Sequence, residues 1–345
     1  MTVLRARITR DAPSGRRYAL IARAYRDVAK SLDVPPRHVQ AAVWVHVRGS
    51  AYRRPGARML ILPDGRRVGT ISGGCLESDV SRKAWWWTEQ EATLRVFDTS
   101  SDDDAVWEFG LGCNGVIEVL LERVRSPEAT QALEYLALRR AGALPVVTRA
   151  SADSPYRCGD RFPRSSVLRA HVRAVESERK SRLVHLADAE VFVEYVARPQ
   201  RLVIFGAGHD AIPVASMASA LGWQVTVADG RPAYACAARF PMAAEVVLMD
   251  AREPLRGIEI GPETAVVMMT HNYPLDVRLL PRVAGCRPRY LGILGPRQRA
   301  ERLFEAAGCR PADVHAPVGL DVGAETPETI ALAIVAEIQA ELSGR

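Results

Sequence analysis

The sequence predicts an α/β protein in two parts, a mixed α+β domain over residues 1–198 and a doubly wound parallel-sheet domain over 199–345. Three observations predict it. From residue 201 onward, continuous apolar runs alternate with helical patterns, as strands buried on both faces do. A glycine-rich loop directly follows the first of those runs. Before residue 198 the apolar runs are short, broken by turn residues and mixed with amphipathic stretches.

In the first part, apolar spacing predicts a helix over 15–32. Short strands follow at 41–47, 57–62 and 66–71, the last two joined by the turn residues Pro63-Asp64-Gly65. A helix is expected after Cys75, opening with Glu77 and Asp79, since acidic residues favour helix starts. Strands are read at 92–98 and 115–124, with the acidic run Asp102 to Asp104 and the loop "FGLGCNG" between them. A helix is expected over 126–142, followed by "ALPVVTRA". The stretch 151–182 is polar, arginine-rich and not convincing as core. A strand at 189–196 closes this part, and Ala197-Arg198-Pro199-Gln200 reads as a connector.

In the second part, strands are predicted at 201–206, 224–229, 244–250, 264–270 and 290–295, and a long helix at 326–342. Gly206-Ala207-Gly208-His209-Asp210-Ala211 is the G-x-G-x-x-A form of the dinucleotide fingerprint. It follows a strand and opens a helix, and Asp229 ends the next strand. Gly206 permits the tight turn, Gly208 permits close approach of a pyrophosphate, and Ala211 allows close helix–strand packing. This identifies a Rossmann-like domain. Arg231, so near Asp229, leaves NAD and NADP equally open. His271 and Asn272 follow the fourth strand on the edge where ligands lie. His271 is either a ligand contact or a turn residue. Gly295-Pro296-Arg297 opens a further helix that could hold an anionic group.

Composition narrows the classes. Hydrophobic residues make up 48% and charged residues 25%, an ordinary globular balance. The net charge of +6 comes from 46 basic and 40 acidic residues, and only Lys30, Lys83 and Lys180 are lysines. The arginines spread along the whole chain and form no basic stripe, which argues against a nucleic-acid binder. No C-x-x-C pair suggests structural zinc, and no metal site is expected. No apolar run reaches membrane-spanning length. The N-terminal stretch lacks the apolar core of a signal peptide, so a cytoplasmic protein with reduced thiols is expected.

Two glycine–cysteine loops are candidate sites. In "GTISGGCLE", Cys75 follows Gly73 and Gly74 where a helix begins, a position that lowers a thiol pKa. Arg53 and Arg54 form a fixed basic pair before a Pro-Gly turn, suited to a phosphate. Cys113 lies in the second loop. Either thiol could equally be a small turn residue. Cys158, Cys236, Cys286 and Cys309 have no comparable setting. Trp85, Trp86 and Trp87 cannot all face one core, so at least one is expected to be exposed or at an interface between protomers.

Together these stretches resemble the XdhC/CoxI accessory proteins of molybdenum hydroxylases. The resemblance rests on "GSAYRRPGARMLILPDGRRVGTISGGCLE", "GLGCNGVIEVLLE", "RLVIFGAGHDA", "THNYPLD", "YLGILGPRQR" and "HAPVGLDVGAETPETIALAIVAEI". It departs from the family pattern at Tyr52, where proline is usual, at Asn114, where glycine is usual, and at Asp210, where an apolar residue is usual.

The resemblance implies a chaperone rather than a turnover enzyme. Such a chaperone binds molybdenum cofactor (molybdopterin), supports its sulfuration by a cysteine desulfurase, and helps insert it into a xanthine dehydrogenase-like or CO dehydrogenase-like apoenzyme. The site residues would then be Cys75 as the functional thiol, with Arg53, Arg54, Gly73, Gly74, Cys113, Gly206, Gly208, His209, Asp229 and His271 binding the cofactor. A homodimer is expected, with no nucleic-acid or membrane partner. Two other readings stay open. One is an NAD(P)-dependent oxidoreductase using the fingerprint and Asp229, although Tyr-x-x-x-Lys is absent because no lysine follows Lys180. The other is a scaffold bridging desulfurase and apoenzyme without holding a ligand.

Overall fold

The computed structural model describes residues 40–49, 55–62, 65–72, 74, 76–98, 115–123, 142–161 and 166–343. The helices expected over 15–32 and 126–142 lie outside these residues. The described residues divide into two units between Arg198 and Pro199.

The first unit holds two antiparallel sheets. One contains β1 (Gln40–Gly49), β2 (Arg58–Ile61), β3 (Arg67–Gly69), β4 (Thr93–Asp98) and β5 (Gly115–Arg123), in the order β3-β2-β1-β5-β4. Helix α1 (Glu77–Trp87) follows β3. Residues of β5 alternate with the strand period of two. Ile117, Val119 and Leu121 pack with Met59, Ile61, Leu76, Val80 and Ala84, which seats α1 on one face. Leu120 instead joins Val146 and Phe192 of the second sheet. The buried carboxylates of Glu118 and Glu122, which share the parity of Leu120, pair with Arg149 and Arg161 at 2.7 and 2.5 Å.

The second sheet contains β6 (Gly142–Ala150), β7 (Arg182–His185) and β8 (Ala189–Val196), in the order β6-β8-β7. Pro145 is tolerated because β6 is an edge strand. Helix α2 (Ser166–Glu178) covers this sheet through Leu168 and Val175, against Val147, Val191 and Val193. The expectation that 151–182 contributes no core is therefore corrected. Leu168, Val172 and Val175 carry a helical spacing that the surrounding arginines obscure. Of the tryptophan triplet, Trp86 is 73% exposed, as expected for at least one of the three.

The second unit is a six-stranded parallel sheet containing β9 (Arg201–Phe205), β10 (Gln224–Asp229), β11 (Glu245–Leu248), β12 (Thr264–Met268), β13 (Tyr290–Ile293) and β14 (Val314–His315). The order is β11-β10-β9-β12-β13-β14. Helices α3 (Ala211–Ala220) and α6 (Pro327–Leu342) cover one face, meeting Leu202 and Ile204 of β9. Helices α4 (Tyr273–Gly285) and α5 (Arg297–Ala307) cover the other, meeting Val203 and Phe205. The alternation along β9 thus serves two cores at once, which is why the strand reads as a continuous apolar run. This is the Rossmann-like doubly wound sheet that the sequence predicts. From β9 the chain winds outward to β10 and β11, then returns to β12 on the other side. The switch point between β9 and β12 opens a crevice at the carboxyl ends of the strands.

Candidate functional site

The crevice is built on the glycine loop after β9. Gly206 has φ +114°, and a Cβ there would collide with the Met269 carbonyl and lie 2.9 Å from Thr270 Cα. The loop therefore presses against the end of β12, which only glycine permits. The Gly206 amide donates to the Ala228 carbonyl at 2.8 Å, fastening the loop to β10 as well.

A cavity of about 490 Å³ opens here, lined by Gly206, Asp229, Arg231, Thr270, His271 and Arg278 among others. Asp229 is buried, and its carboxylate is fully engaged. Oδ1 accepts from the Arg231 amide and Nε, both at 2.9 Å, and Oδ2 accepts from the Ala207 amide at 2.8 Å and Arg231 Nη2 at 2.7 Å. A carboxylate offers about four acceptor positions, so none is left over for a ribose hydroxyl. Burial pushes its pKa up, but the Arg231 guanidinium and the two amides outweigh this and hold it below the usual carboxylate range. The Arg231 guanidinium also lies 3.8 Å over the Tyr234 ring, and Arg239 approaches the same ring at 4.7 Å. Arg239 Nη1 donates to the Ala207 carbonyl at 2.7 Å, so this pair of arginines braces the loop.

On the β12 side, His271 has φ +54°, a left-handed backbone uncommon outside glycine, and its side chain is 62% exposed. Its Nε2 lies 2.6 Å from Asp210 Oδ2. Asn272 caps α4 by accepting from the Leu275 amide at 3.1 Å. Below them, buried Asp276 accepts from Thr270 Oγ1 at 2.6 Å and from Arg299 Nη2 at 2.5 Å. Arg299 lies across Gly295, where a Cβ would stand 3.1 Å from Arg299 Cδ. The loop before α5 is thus occupied by a side chain of its own helix. His209, within the glycine loop, is not among the residues lining the cavity.

In the first unit, Arg53, Arg54, Gly73, Cys75 and Cys113 lie outside the described residues. The frame around Cys75 is described. Glu77 is buried, and its Oε1 accepts from the Ile71 amide at 3.0 Å and the Ser72 amide at 2.7 Å, while Oε2 accepts from the Ser72 hydroxyl. Ser72 Oγ in turn accepts from the amides of Gly74 and Leu76 at 3.1 and 3.2 Å. Burial pushes the Glu77 pKa up, but these donors prevail and hold it below the usual range. Gly74 has φ +127° and open space beside it, so a ligand can approach the backbone there. Cys158 is different. Burial first, then the nearby Glu122 and Glu91 charges, push its thiol up to about 12, which makes it a poor nucleophile.

Gly206, Asp229 and His271 meet at the crevice, as a fingerprint at this place in the fold requires. The Asp210–His271 pair, the bracing arginines and the Ser72–Glu77 clamp are not foreseen from the sequence, because each joins residues whose proximity depends on the folded path. The usable signal is Asp210 itself, a carboxylate inside a phosphate-type loop. Among the described residues no group of three or more His, Cys, Asp or Glu could hold a metal ion, and no helix is long and apolar enough to cross a membrane.

Comparison with known proteins agrees with this architecture. The model of the XdhC Rossmann domain matches residues 202–338, and that of the XdhC and CoxI family matches 37–98. A probable xanthine dehydrogenase subunit of Bacillus subtilis is 34% identical over 304 residues, covering 86% of this chain and 91% of its own. The molybdenum cofactor insertion chaperone PaoD of Escherichia coli is 27% identical over 303 residues, covering 85% and 80%. The crystal structure of a xanthine dehydrogenase from Bacillus halodurans superposes with a TM-score of 0.75 at 33% identity, covering 94% of this chain and 96% of the other. With a two-unit fold, a glycine-loop crevice and a relative 34% identical that is matched over 91% of its length, this chain belongs to the XdhC and CoxI family.

Proposed function

We propose that this protein is a cytoplasmic accessory chaperone. It binds molybdenum cofactor, supports sulfuration of the cofactor together with a cysteine desulfurase, and delivers it to a molybdenum hydroxylase apoenzyme of the xanthine dehydrogenase or CO dehydrogenase kind. The observation that carries this is the similarity to a molybdenum cofactor insertion chaperone along 85% of the chain.

The geometry supports it. The cargo is a phosphorylated pterin dithiolene, and a cavity of about 490 Å³ is of the size that small-molecule sites use. Arg231, Arg278 and His271 border that cavity with groups able to meet an anion. In residues 1–198, Cys75 is assigned as the thiol facing the metal or its sulfur, flanked by Gly73 and Gly74, with Arg53, Arg54 and Cys113 as further contacts. Of the residues expected to contact the cofactor in residues 199–345, Gly206, Asp229 and His271 border this cavity, whereas Gly208 and His209 do not. The exposed Trp86 suits a homodimer or partner interface. Against the NAD(P) oxidoreductase reading stand the fully occupied acceptors of Asp229 and the absence of a Tyr-x-x-x-Lys pair.

The test is mass-resolved iodoacetamide labelling of the full chain with and without molybdenum cofactor, paired with client activation by Cys75→Ser. Cys75 is expected to label fastest at neutral pH, to be protected by the cofactor, and to be needed for activation, while Cys158 labels slowest. Slow labelling of Cys75 together with a fully active serine variant overturns the assignment.

A further inference from the structure

In a dinucleotide fingerprint the second glycine leaves its side-chain space empty so that a pyrophosphate can lie against the backbone. Here that space is filled. A Cβ placed on Gly208 would collide with Asp210 Oδ1 and lie 3.6 Å from Asp210 Cγ, with His271 Cδ2 at 3.9 Å. Asp210 stands at the start of α3 but makes no capping hydrogen bond with its side chain. The carboxylate turns back over the loop instead, held by His271 Nε2 at 2.6 Å. Asp210 is only 18% exposed at its side chain, so the carboxylate is lodged against the loop and does not extend into solvent.

We propose that Asp210 is a specificity-determining residue that closes the glycine loop to diphosphates. The crevice then admits a ligand whose phosphate is a single terminal group lying toward Arg231 and Arg278, and it rejects one that must run a pyrophosphate across Gly208. Both bulk and charge act in this sense. The carboxylate takes the volume a phosphate would need, and its negative charge repels a phosphate at contact range. The second recognition element of a dinucleotide site is also unavailable, since Asp229 is saturated by Arg231 and Ala207. Only in naming the natural ligand does this rest on the chaperone reading: it selects the monophosphate form of the pterin cofactor over its dinucleotide form.

The test uses the full chain and nucleotide probes, so it does not depend on the cofactor. Binding of ADP, inorganic pyrophosphate and AMP is measured by calorimetry for the wild type, Asp210→Ala and Asp210→Asn. Asparagine keeps the volume and removes the charge, and it provides a second variant should alanine fail to fold. Asp210→Ala is expected to bind ADP and pyrophosphate about tenfold or more tighter than the wild type. A gain in the asparagine variant as well assigns the exclusion to charge, and a gain in alanine alone assigns it to bulk. Equal ADP affinity in the wild type and both folded variants, whether tight or undetectable, overturns the proposal. If the gain appears while neither wild type nor variant takes up molybdenum cofactor, the closure of the loop stands and the chaperone reading falls.

Discussion

Glu77 reaches back from the first turn of α1 to Ser72, accepting from its amide at 2.7 Å and from its hydroxyl. Through Ser72 Oγ the same carboxylate governs the amides of Gly74 and Leu76, on either side of Cys75. A residue that looks in sequence like a helix-dipole partner is therefore a clamp on the glycine–cysteine loop.

Replacing Glu77 with glutamine removes the charge from a carboxylate that accepts three hydrogen bonds. The expected loss at pH 7 is about 1.5–3 kcal/mol, the range for hydrogen bonds to charged groups. Because the folded pKa is lowered, the carboxylate's contribution is complete above the unfolded value of about 4.3. It is lost as pH falls through the folded value. The gap between wild type and Glu77→Gln should therefore narrow below about pH 4. Denaturant unfolding at about pH 7 and about pH 3.5 checks this, and a constant gap would contradict it.

Arg58 and Glu194 form a bidentate pair between the two sheets of the first unit, with both side chains almost fully buried. Removing one partner leaves a charge in an apolar setting. Arg58→Met is expected to cost about 3–5 kcal/mol, and the double variant Arg58→Met with Glu194→Leu to recover most of it. Five of the six tryptophans precede residue 198, so fluorescence-detected unfolding reports on this unit. A double variant as unstable as the single one would mean that the pair is not coupled.

Gly206 combines a positive φ with a backbone collision at Met269, whereas Gly65 has φ +82° and nothing within 4 Å. Alanine at 65 should cost only the backbone strain of about 1–2 kcal/mol. Alanine at 206 should cost about 3 kcal/mol or more, since β12 must also shift. Thermal unfolding of the two variants separates the cases: similar melting points would show that the loop yields freely.

Much of the second unit is readable from local pattern. The runs at 201–206, 224–229 and 264–270 announce β9, β10 and β12, and the helical pattern over 326–342 announces α6, to which the structure adds a capping box between Thr326 and Thr329. The first unit is less readable. The signal of α2 is diluted by arginine, so the stretch 151–182 is not convincing as core, and β7, with only four residues, gives too short a pattern to read. Periodicity reports whether a segment has an apolar face, not which partner covers it.

The sequence by itself determined the two-part α/β organisation, the glycine loop and its location at a strand–helix junction, and the family resemblance. These rest on local properties, namely hydrophobic period, turn chemistry and residue order. Tertiary structure alone decided what the charged residues do. Asp229 became a partner of Arg231 and Ala207, Asp210 came to rest on Gly208 under His271, Glu118 and Glu122 found Arg149 and Arg161, and Glu77 turned back on Ser72. The physical reason is that a buried carboxylate must find donors within about 3 Å. For Asp210, Glu118 and Glu122, and for the bond from Ala207 to Asp229, those partners come from distant segments, whereas Arg231 and Ser72 are near neighbours in sequence whose orientation toward Asp229 and Glu77 is set by the folded backbone path.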